Sequence, residues 1–435
     1  MLKAYLKKII VFLITFEAKL VLKKFHPRVI VITGSVGKTS TKDAIYAAIA
    51  PYAFVRKSEK SFNTEVGVPL TILGRPSGWT NPYAWFVNIV DGFLLLVAGK
   101  KYPQWLVLEV GADRPGDIKH IASWLSPDMV VITRFAPVPV HVEYFDSPEE
   151  VFAEKAEMVK ALKPSGTLVL LHDDEKVRKL SELSPSKKVL TYGFSRGSLV
   201  RGSKNSIVYE GRGQHRRPTG MSFIFTHEGK SAEVVTKNSI GRQGLYAILA
   251  AAAAGITLEK DITELARALS AFEAPTGRMR ILPGVKEMSI IDDTYNSSPV
   301  AVKEALDALA HLKIKGKKLA VLGDMLELGQ FSVQEHKSIG AYALGKVDML
   351  VAVGVRSRDT ALGALEVGFD ASNILQFDDS RQAGKAIETL IQPGDAVLIK
   401  GSQGMRMEYA VEEIMAHPED KERLLVRQEK EWQNR

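Results

Sequence analysis

A continuous β-branched run, residues 29–33, passes directly into Gly34, Ser35, Val36, Gly37, Lys38, Thr39 and Ser40, and then into a stretch of helical composition up to about residue 50. A glycine loop between a buried strand and a helix exposes consecutive backbone N–H groups, and the helix N-terminus adds a favourable dipole. Together they form an anion cradle for phosphates. In such a cradle Lys38 contacts the β- and γ-phosphates of a nucleotide, and the Thr39 hydroxyl ligates Mg²⁺. Position 32 is Ile, so the longer phosphate-loop pattern, with glycine there, is replaced by a shorter form beginning at Thr33 and Gly34. Glu109 lies at the end of another short apolar run, where parallel sheets place their sites, and offers a hard oxygen ligand for the same cation.

These residues need a scaffold that brings strand ends together. Apolar runs at 106–110, 129–133 and 167–171 alternate with helical segments near 117–125 and 147–162, the spacing of an α/β domain with a parallel sheet. Short β-type runs at 188–192, 221–226 and 232–236 predict an antiparallel extension, followed by an alanine-rich helix over 241–254. Pro275 and Gly277 punctuate a linker, after which runs at 289–292, 319–322, 349–353 and 396–399 again alternate with helices. The expected fold is therefore a P-loop central domain, 29–274, with a mostly parallel sheet, and a smaller Rossmann-like α/β domain, 275–416. A basic apolar N-terminal helix, 1–28, precedes them. A charged tail, 417–435, follows, expected as a solvated helix or frayed end.

The chain has 435 residues, 46% of them hydrophobic and 25% charged, which excludes disordered, collagen-like and polytopic membrane classes. It contains no cysteine, which rules out a disulfide framework, a catalytic thiol and any cysteine-ligated metal site. Nothing in it implies an oxidising compartment, so the expected location is the cytoplasm, with contact at the inner membrane face as the one addition considered. Residues 1–28 hold Lys3, Lys7, Lys8, Lys19, Lys23, Lys24 and Arg28 against Glu17 alone, most of the chain's net charge of +8. The near-neutral remainder argues against nucleic acid as a partner.

Residues 9–16 form an uncharged run far below the ~20 apolar residues needed to span a bilayer. Two readings stand: a helix packed on the domain with solvated lysines, or an interfacial helix on an anionic membrane surface. The second apolar stretch, 84–98, lies within an insertion over about 79–105 flanked by Trp79, Trp85 and Trp105. It reads either as a buried helical insertion or as a second membrane-facing element.

The loop from Thr33 to Ser40 resembles the ATP loop of the Mur ligases, the amide-forming enzymes of peptidoglycan precursor synthesis. In the expected order follow Asn63-Thr64-Glu65-Val66-Gly67, Val107-Leu108-Glu109-Val110-Gly111, His141-Val142-Glu143 and Glu154-Lys155-Ala156. Gly277-Arg278, Asp292-Asp293-Thr294-Tyr295-Asn296, the run from Gly323 to Gly329, and Lys400-Gly401-Ser402 continue the pattern. This last set is similar to the branch of the family that adds D-alanyl-D-alanine to a UDP-MurNAc-tripeptide.

The resemblance implies an ATP-dependent acid–amino-acid ligase that phosphorylates a carboxylate to an acyl phosphate, which an amine then attacks. It implies two Mg²⁺ ions held by Thr39, Glu109, His141 and a Lys155 carbamoylated by CO₂. By residue pattern alone, Lys155 would pass for a solvated helical lysine. Arg278 follows the linker, so domain closure would carry its planar guanidinium onto the γ-phosphate. Asp293 and Asn296 would face the nucleotide. Asn63, Thr64, Lys400, Ser402 and the neighbourhood of His336 would receive the substrates, Lys400 and His336 on the side of the amine.

Two departures qualify this. The resembled branch carries an N-terminal UDP-binding domain, whereas 28 residues precede the ATP strand here. The expectation is a chain lacking that domain, with the UDP-sugar presented by a partner or with a different acceptor, such as a lipid-linked or polyamino-acid substrate. A non-catalytic nucleotide-binding partner is the remaining alternative. At Gly241-Arg242-Gln243-Gly244 the family's His-Asn pair is missing, and with it the expected adenine-side contact.

Overall fold

The computed structural model describes residues 2–59, 62–97 and 101–433; of the expected segments, residue 1, residues 60–61, residues 98–100 and residues 434–435 lie outside these. Strand β1 (Arg28–Thr33) sits in the first sheet with β2 (Val55–Lys57), β3 (Trp105–Glu109), β4 (Met129–Ile132), β5 (Thr167–Leu171), β6 (Val189–Gly193), β7 (Val200–Glu210), β8 (Arg217–His227) and β9 (Lys230–Val235). The order is β2-β3-β1-β4-β5-β6-β7-β8-β9, parallel as far as β7, with β7, β8 and β9 antiparallel. Helices cover both faces of the parallel part. That is why Val29, Ile30, Val31, Ile32 and Thr33 are all buried, and why β1 reads as an unbroken apolar run rather than an alternating one. The antiparallel extension begins later than the sequence suggests, because β6 still pairs parallel to β5. The start of strand β7 shows no apolar pattern: its Arg201, Gly202 and Ser203 are held by the ladder to β8, which is interrupted at Lys204 and Asn205 and resumes at Ser206.

A second sheet contains β10 (Arg280–Pro283), β11 (Ser289–Asp293), β12 (Lys318–Gly323), β13 (Met349–Val353), β14 (Ile374–Phe377) and β15 (Ala396–Lys400). Its order is β10-β11-β15-β12-β13-β14, parallel except for β10. The fold is thus mixed α/β, with a large, mostly parallel sheet and a second, smaller one. Arg134, just past β4, forms an ion pair with Glu304 on the helix Pro299–Ala310 and ties the two halves together.

Helix α1 (Leu2–Phe25) precedes β1, α2 (Lys38–Ile49) follows the glycine loop, and α3 (Gly67–Leu73) and α4 (Pro82–Val97) precede β3. Among the described residues no helix is long and apolar enough to cross a membrane. α1 buries Val11, Ile14, Ala18 and Val21 against the domain while leaving Tyr5, Ile9, Phe12, Phe16 and Leu20 exposed. Of the apolar stretch at 84–98, residues 84–97 belong to α4, and residue 98 lies outside the described residues; the helix is largely exposed, against the first of the two readings. α4 fully buries only Asn88 and Gly92, and packs Trp85, Ile89, Leu95 and Leu96 half-buried against the core. Asn88 donates to the Pro76 carbonyl at 2.8 Å, and a Cβ at Gly92 would lie 2.2 Å from Glu17 Oε2.

Glu17 is therefore enclosed at the α1–α4 seam, and its Oε2 has no hydrogen-bond partner among the described residues. Burial pushes its carboxyl up to about 7. A carboxyl raised on folding favours the native state below its unfolded value and loses that contribution as pH rises through its folded value. Glu17→Gln is accordingly expected to raise the melting temperature by a few degrees at pH 8, the scale of ~1 kcal/mol for a buried unpaired group, and to change nothing at pH 5. Equal shifts at both pH values in thermal melts would remove this account.

The charged tail also differs from expectation. Leu424, Leu425 and Val426 are buried, and Arg427 donates to the fully buried Glu408 through Nη2 (2.7 Å) and Nε (3.0 Å). Arg427 also donates to the carbonyls of Thr294 (2.7 Å) and Tyr295 (3.1 Å). The smaller domain thus extends to at least Arg427, its last apolar triplet hidden in sequence by the charges around it.

Candidate active site

The register of the first sheet determines where the chemistry gathers. Ile32 pairs with Glu109 and Thr33 with Ile132, so the glycine loop leaves β1 beside the ends of β3 and β4. Gly34 has φ 139° and a Cβ there would lie 2.1 Å from Thr133 Oγ1, so only glycine lets the loop pass β4. Gly37, at φ 86°, turns the chain into α2.

Around this loop the side chains interlock. Thr39 Oγ1 donates to Glu109 Oε2 at 3.0 Å, and Asn63 Nδ2 donates to Oε1 of the same carboxylate at 3.3 Å. Lys38 Nζ donates to the Gly34 carbonyl at 3.1 Å. Burial holds the Lys38 ammonium below its usual range; Glu109 pulls it back up, while the approach of Arg278 lowers it further. Lys155, on the helix Pro148–Lys160, is buried rather than solvated, and donates to Ser35 Oγ at 3.1 Å. Burial first, and then the Lys38 charge, push its amine well below the ordinary lysine range.

From the second sheet, β11 and β15 end at the same place. Arg278 lies with its guanidinium carbon 4.1 Å from the Tyr295 ring centroid, and its buried Nε has no partner among the described residues. Ser35, Val36, Gly37, Lys38, Thr39, Asn63, Thr64, Glu109, His141 and Lys155 from one domain, and Arg278, Asp293, Asn296, Lys400 and Ser402 from the other, line a single interdomain cleft of about 590 Å³. Ser40 faces a small adjoining recess instead.

Some expected roles change. Lys400 is not a free cation awaiting an amine: its Nζ sits 2.6 Å from Asp293 Oδ2 and 2.9 Å from the Asn296 carbonyl, in a pair buried at both ends. Asp293 is correspondingly committed to Lys400 and to the Met279 N–H, 3.2 Å away, rather than turned to a nucleotide. His336 lies outside the cleft lining. Its Nε2 accepts from the Met325 N–H at 3.0 Å and its Nδ1 lies 2.7 Å from the Ser332 carbonyl, so it braces the loop that follows β12. Ser402 accepts from the Leu326 N–H at 2.8 Å and braces the same loop from the cleft side.

His141 has a left-handed φ of 67° and stands between two carboxylates, 2.8 Å from Glu327 and 3.5 Å from Asp113. Its proximity holds the Glu327 carboxyl below the usual range. Neither acid stood out by residue type, although Asp113 follows the run ending at Gly111 and Glu327 lies within the run from Gly323 to Gly329. Gln243 was also missed: it lines the cleft with a buried Nε2 that has no partner among the described residues, at the position where the sequence lacks the family's adenine-side pair. Trp432 lines the same cleft, and no sequence signal foretells it.

Hard-cation binding fits the Thr39–Glu109 oxygens. Among the described residues, however, no three His, Asp or Glu side chains form a ready-made metal cage. Further ligands would have to come from phosphate oxygens or from a modified side chain.

Residues 88–255 match the family described as Mur ligase middle domain, and residues 277–403 that described as Mur ligase, glutamate ligase domain. The UDP-N-acetylmuramoyl-tripeptide--D-alanyl-D-alanine ligase of Mycobacterium leprae is 30% identical over 87% of this chain and 71% of its own length. The ligase of the same name from Bacillus subtilis is 29% identical over 92% of this chain and 79% of its own. The crystal structure of MurF ligase from Thermotoga maritima in complex with ADP superposes with a TM-score of 0.75, at 27% identity, over 93% of this chain and 83% of that one. With both modules present in order around one cleft, and with this identity spanning most of both partners, the chain belongs to the Mur ligase family.

Proposed function

We propose that this protein is an ATP-dependent ligase that joins D-alanyl-D-alanine to a UDP-MurNAc-tripeptide. The observation that carries the reading is the convergence of Lys38, Glu109 and Lys155 from one domain with Arg278 from the other on a single cleft. The named relatives supply the substrates.

In this reaction a substrate carboxylate oxygen attacks the γ-phosphorus of ATP and ADP leaves. The neutral amine of the second substrate then attacks the acyl carbon, phosphate leaves, and the amine gives up a proton. The loop N–H groups and Lys38 hold the nucleotide phosphates, and Arg278 faces the transferring group from the other domain. Closing the cleft excludes the water that would otherwise hydrolyse the acyl phosphate. Gln243, with its free Nε2 donor, is our candidate for the nucleotide contact that the missing His-Asn pair would have made. ATP and a nucleotide-linked precursor are both cytoplasmic, so we assign the reaction to that compartment.

Thr39 and Glu109 would hold Mg²⁺, with His141 and a carbamoylated Lys155 on a second ion. Such ions, when bound, neutralise charge on the phosphoryl oxygens. The buried Lys155 amine supports the modification. CO₂ adds to a neutral amine to give a carbamate and a proton, and the product turns a desolvated cation next to Lys38 into an anion that Lys38 attracts.

Phosphate release from the purified chain with ATP, Mg²⁺ and bicarbonate should require both UDP-MurNAc-tripeptide and D-alanyl-D-alanine, and the joined product should appear by mass. ATP binding without stimulation by the pair would overturn the assignment of substrates.

A further inference from the structure

α1 is apolar on two opposite sides. Val11, Ile14, Ala18 and Val21 face the domain, and Tyr5, Ile9, Phe12, Phe16 and Leu20, spaced four, three, four and four residues apart, run along the outside. A helix that had only to pack on the protein would carry polar residues on that outer stripe. The neighbouring α4 repeats the feature with Tyr83, Phe86, Val90, Phe93 and Val97, all exposed at helical spacing. The helices run side by side: Glu17 meets Gly92, and Lys24 Nζ donates to the Leu96 carbonyl at 2.6 Å. Two exposed apolar stripes thus lie on adjacent, packed helices.

The charges around them are mainly positive, with Glu65 paired to Lys7 at 3.0 Å. Lys8 and Lys19 follow one flank of the α1 stripe, with Lys23 and Lys24 at its end, all exposed. The acids of the two helices are withdrawn: Glu17 is buried, and Asp91 is held 2.7 Å from Arg75. Trp79 and Tyr83, amphipathic rings suited to a headgroup layer, stand exposed where α4 begins.

We propose that the outer face of α1 and α4 docks on an anionic phospholipid surface, with the aromatic and aliphatic stripes at the level of the headgroups and upper acyl chains and the lysines among the phosphates. Charge complementarity selects this occupant. A lipid surface accepts a protruding apolar strip without a shaped groove, and its anionic phosphates complement the exposed Lys8, Lys19 and Lys23. Neither helix crosses the bilayer, so the attachment is peripheral and reversible. The proposal does not depend on the ligase assignment, because the face lies on other elements than the cleft.

The test is co-sedimentation of the full chain with vesicles of neutral phosphatidylcholine or with about 30% phosphatidylglycerol added. Binding to the anionic vesicles should exceed that to neutral ones at least tenfold and collapse in ~0.5 M salt, where the Debye length shrinks to a few ångströms. Phe12→Asp with Phe93→Asp, at side chains 68% and 59% exposed, should lower binding by tenfold or more with melting temperature and phosphate release in solution unchanged. Val355→Asp, at an exposed apolar residue of the other domain, should leave binding as it was. Failure of the full chain to bind anionic vesicles, or full binding by the double variant, overturns the proposal. A concentration-dependent dimer that the double variant abolishes, without vesicle binding, reassigns the face to a second copy.

Discussion

Lys155→Ala is expected to lower substrate-dependent phosphate release by about 10³-fold, some 4 kcal/mol of transition-state stabilisation, and added bicarbonate should not restore it. The wild-type enzyme, depleted of CO₂, should recover activity with bicarbonate and acquire a carbamate signal from ¹³C-labelled bicarbonate that the variant lacks. The basis is the placement of the amine, buried beside Ser35 with the Lys38 cation as its nearest named charge. As an ammonium it would repel Lys38 and the metal together; as a carbamate it would attract both. A melting temperature of the variant close to that of the wild type would separate lost chemistry from lost fold. Full activity of Lys155→Ala would eliminate both the carbamate and this lysine from the mechanism.

Arg278→Ala should reduce kcat by roughly 10³-fold or more, the scale of a guanidinium acting in phosphoryl transfer, with the KM for ATP changed much less. Arg278 sits after the linker, stacks on Tyr295 and is close enough to Lys38 to depress its ammonium, yet its buried Nε is unpartnered among the described residues. A donor held in place and left unsatisfied in the resting cleft is suited to charge that develops only during transfer. Arg278→Lys should not rescue, because a point charge lacks the planar fork and cannot stack in the same way. Steady-state kinetics showing the loss confined to the KM for ATP would instead make Arg278 a ground-state binding residue.

Much of this site is legible in the sequence. The loop from Gly34 to Ser40 is local: strand, glycines and helix follow one another in the chain, so their geometry is encoded by neighbours. Glu109 was legible because a carboxylate ending a buried parallel strand has few structural reasons to be there. Lys400 and Asp293 were located in the cleft but not in their role, since ends of different strands can neutralise each other only once β11 and β15 pair. His336 was misplaced for a similar reason. Its ring nitrogens serve a backbone loop, and backbone partners leave no trace in residue type.

The local and periodic features, from phosphate loop and strand runs to the order of two α/β domains, are properties the sequence determines by itself, because they depend on residues close in the chain or on repeats of two and 3.6. Other features depend on burial, which is set by what packs against a residue from far away. Tertiary structure alone decided that Lys155 is desolvated, that Leu424 to Val426 are core despite their charged surroundings, and that α1 and α4 each turn an apolar stripe outward. An apolar residue carries the same side chain whether it faces a core or water, so only the neighbours brought by the fold distinguish a buried helix from one that presents a face.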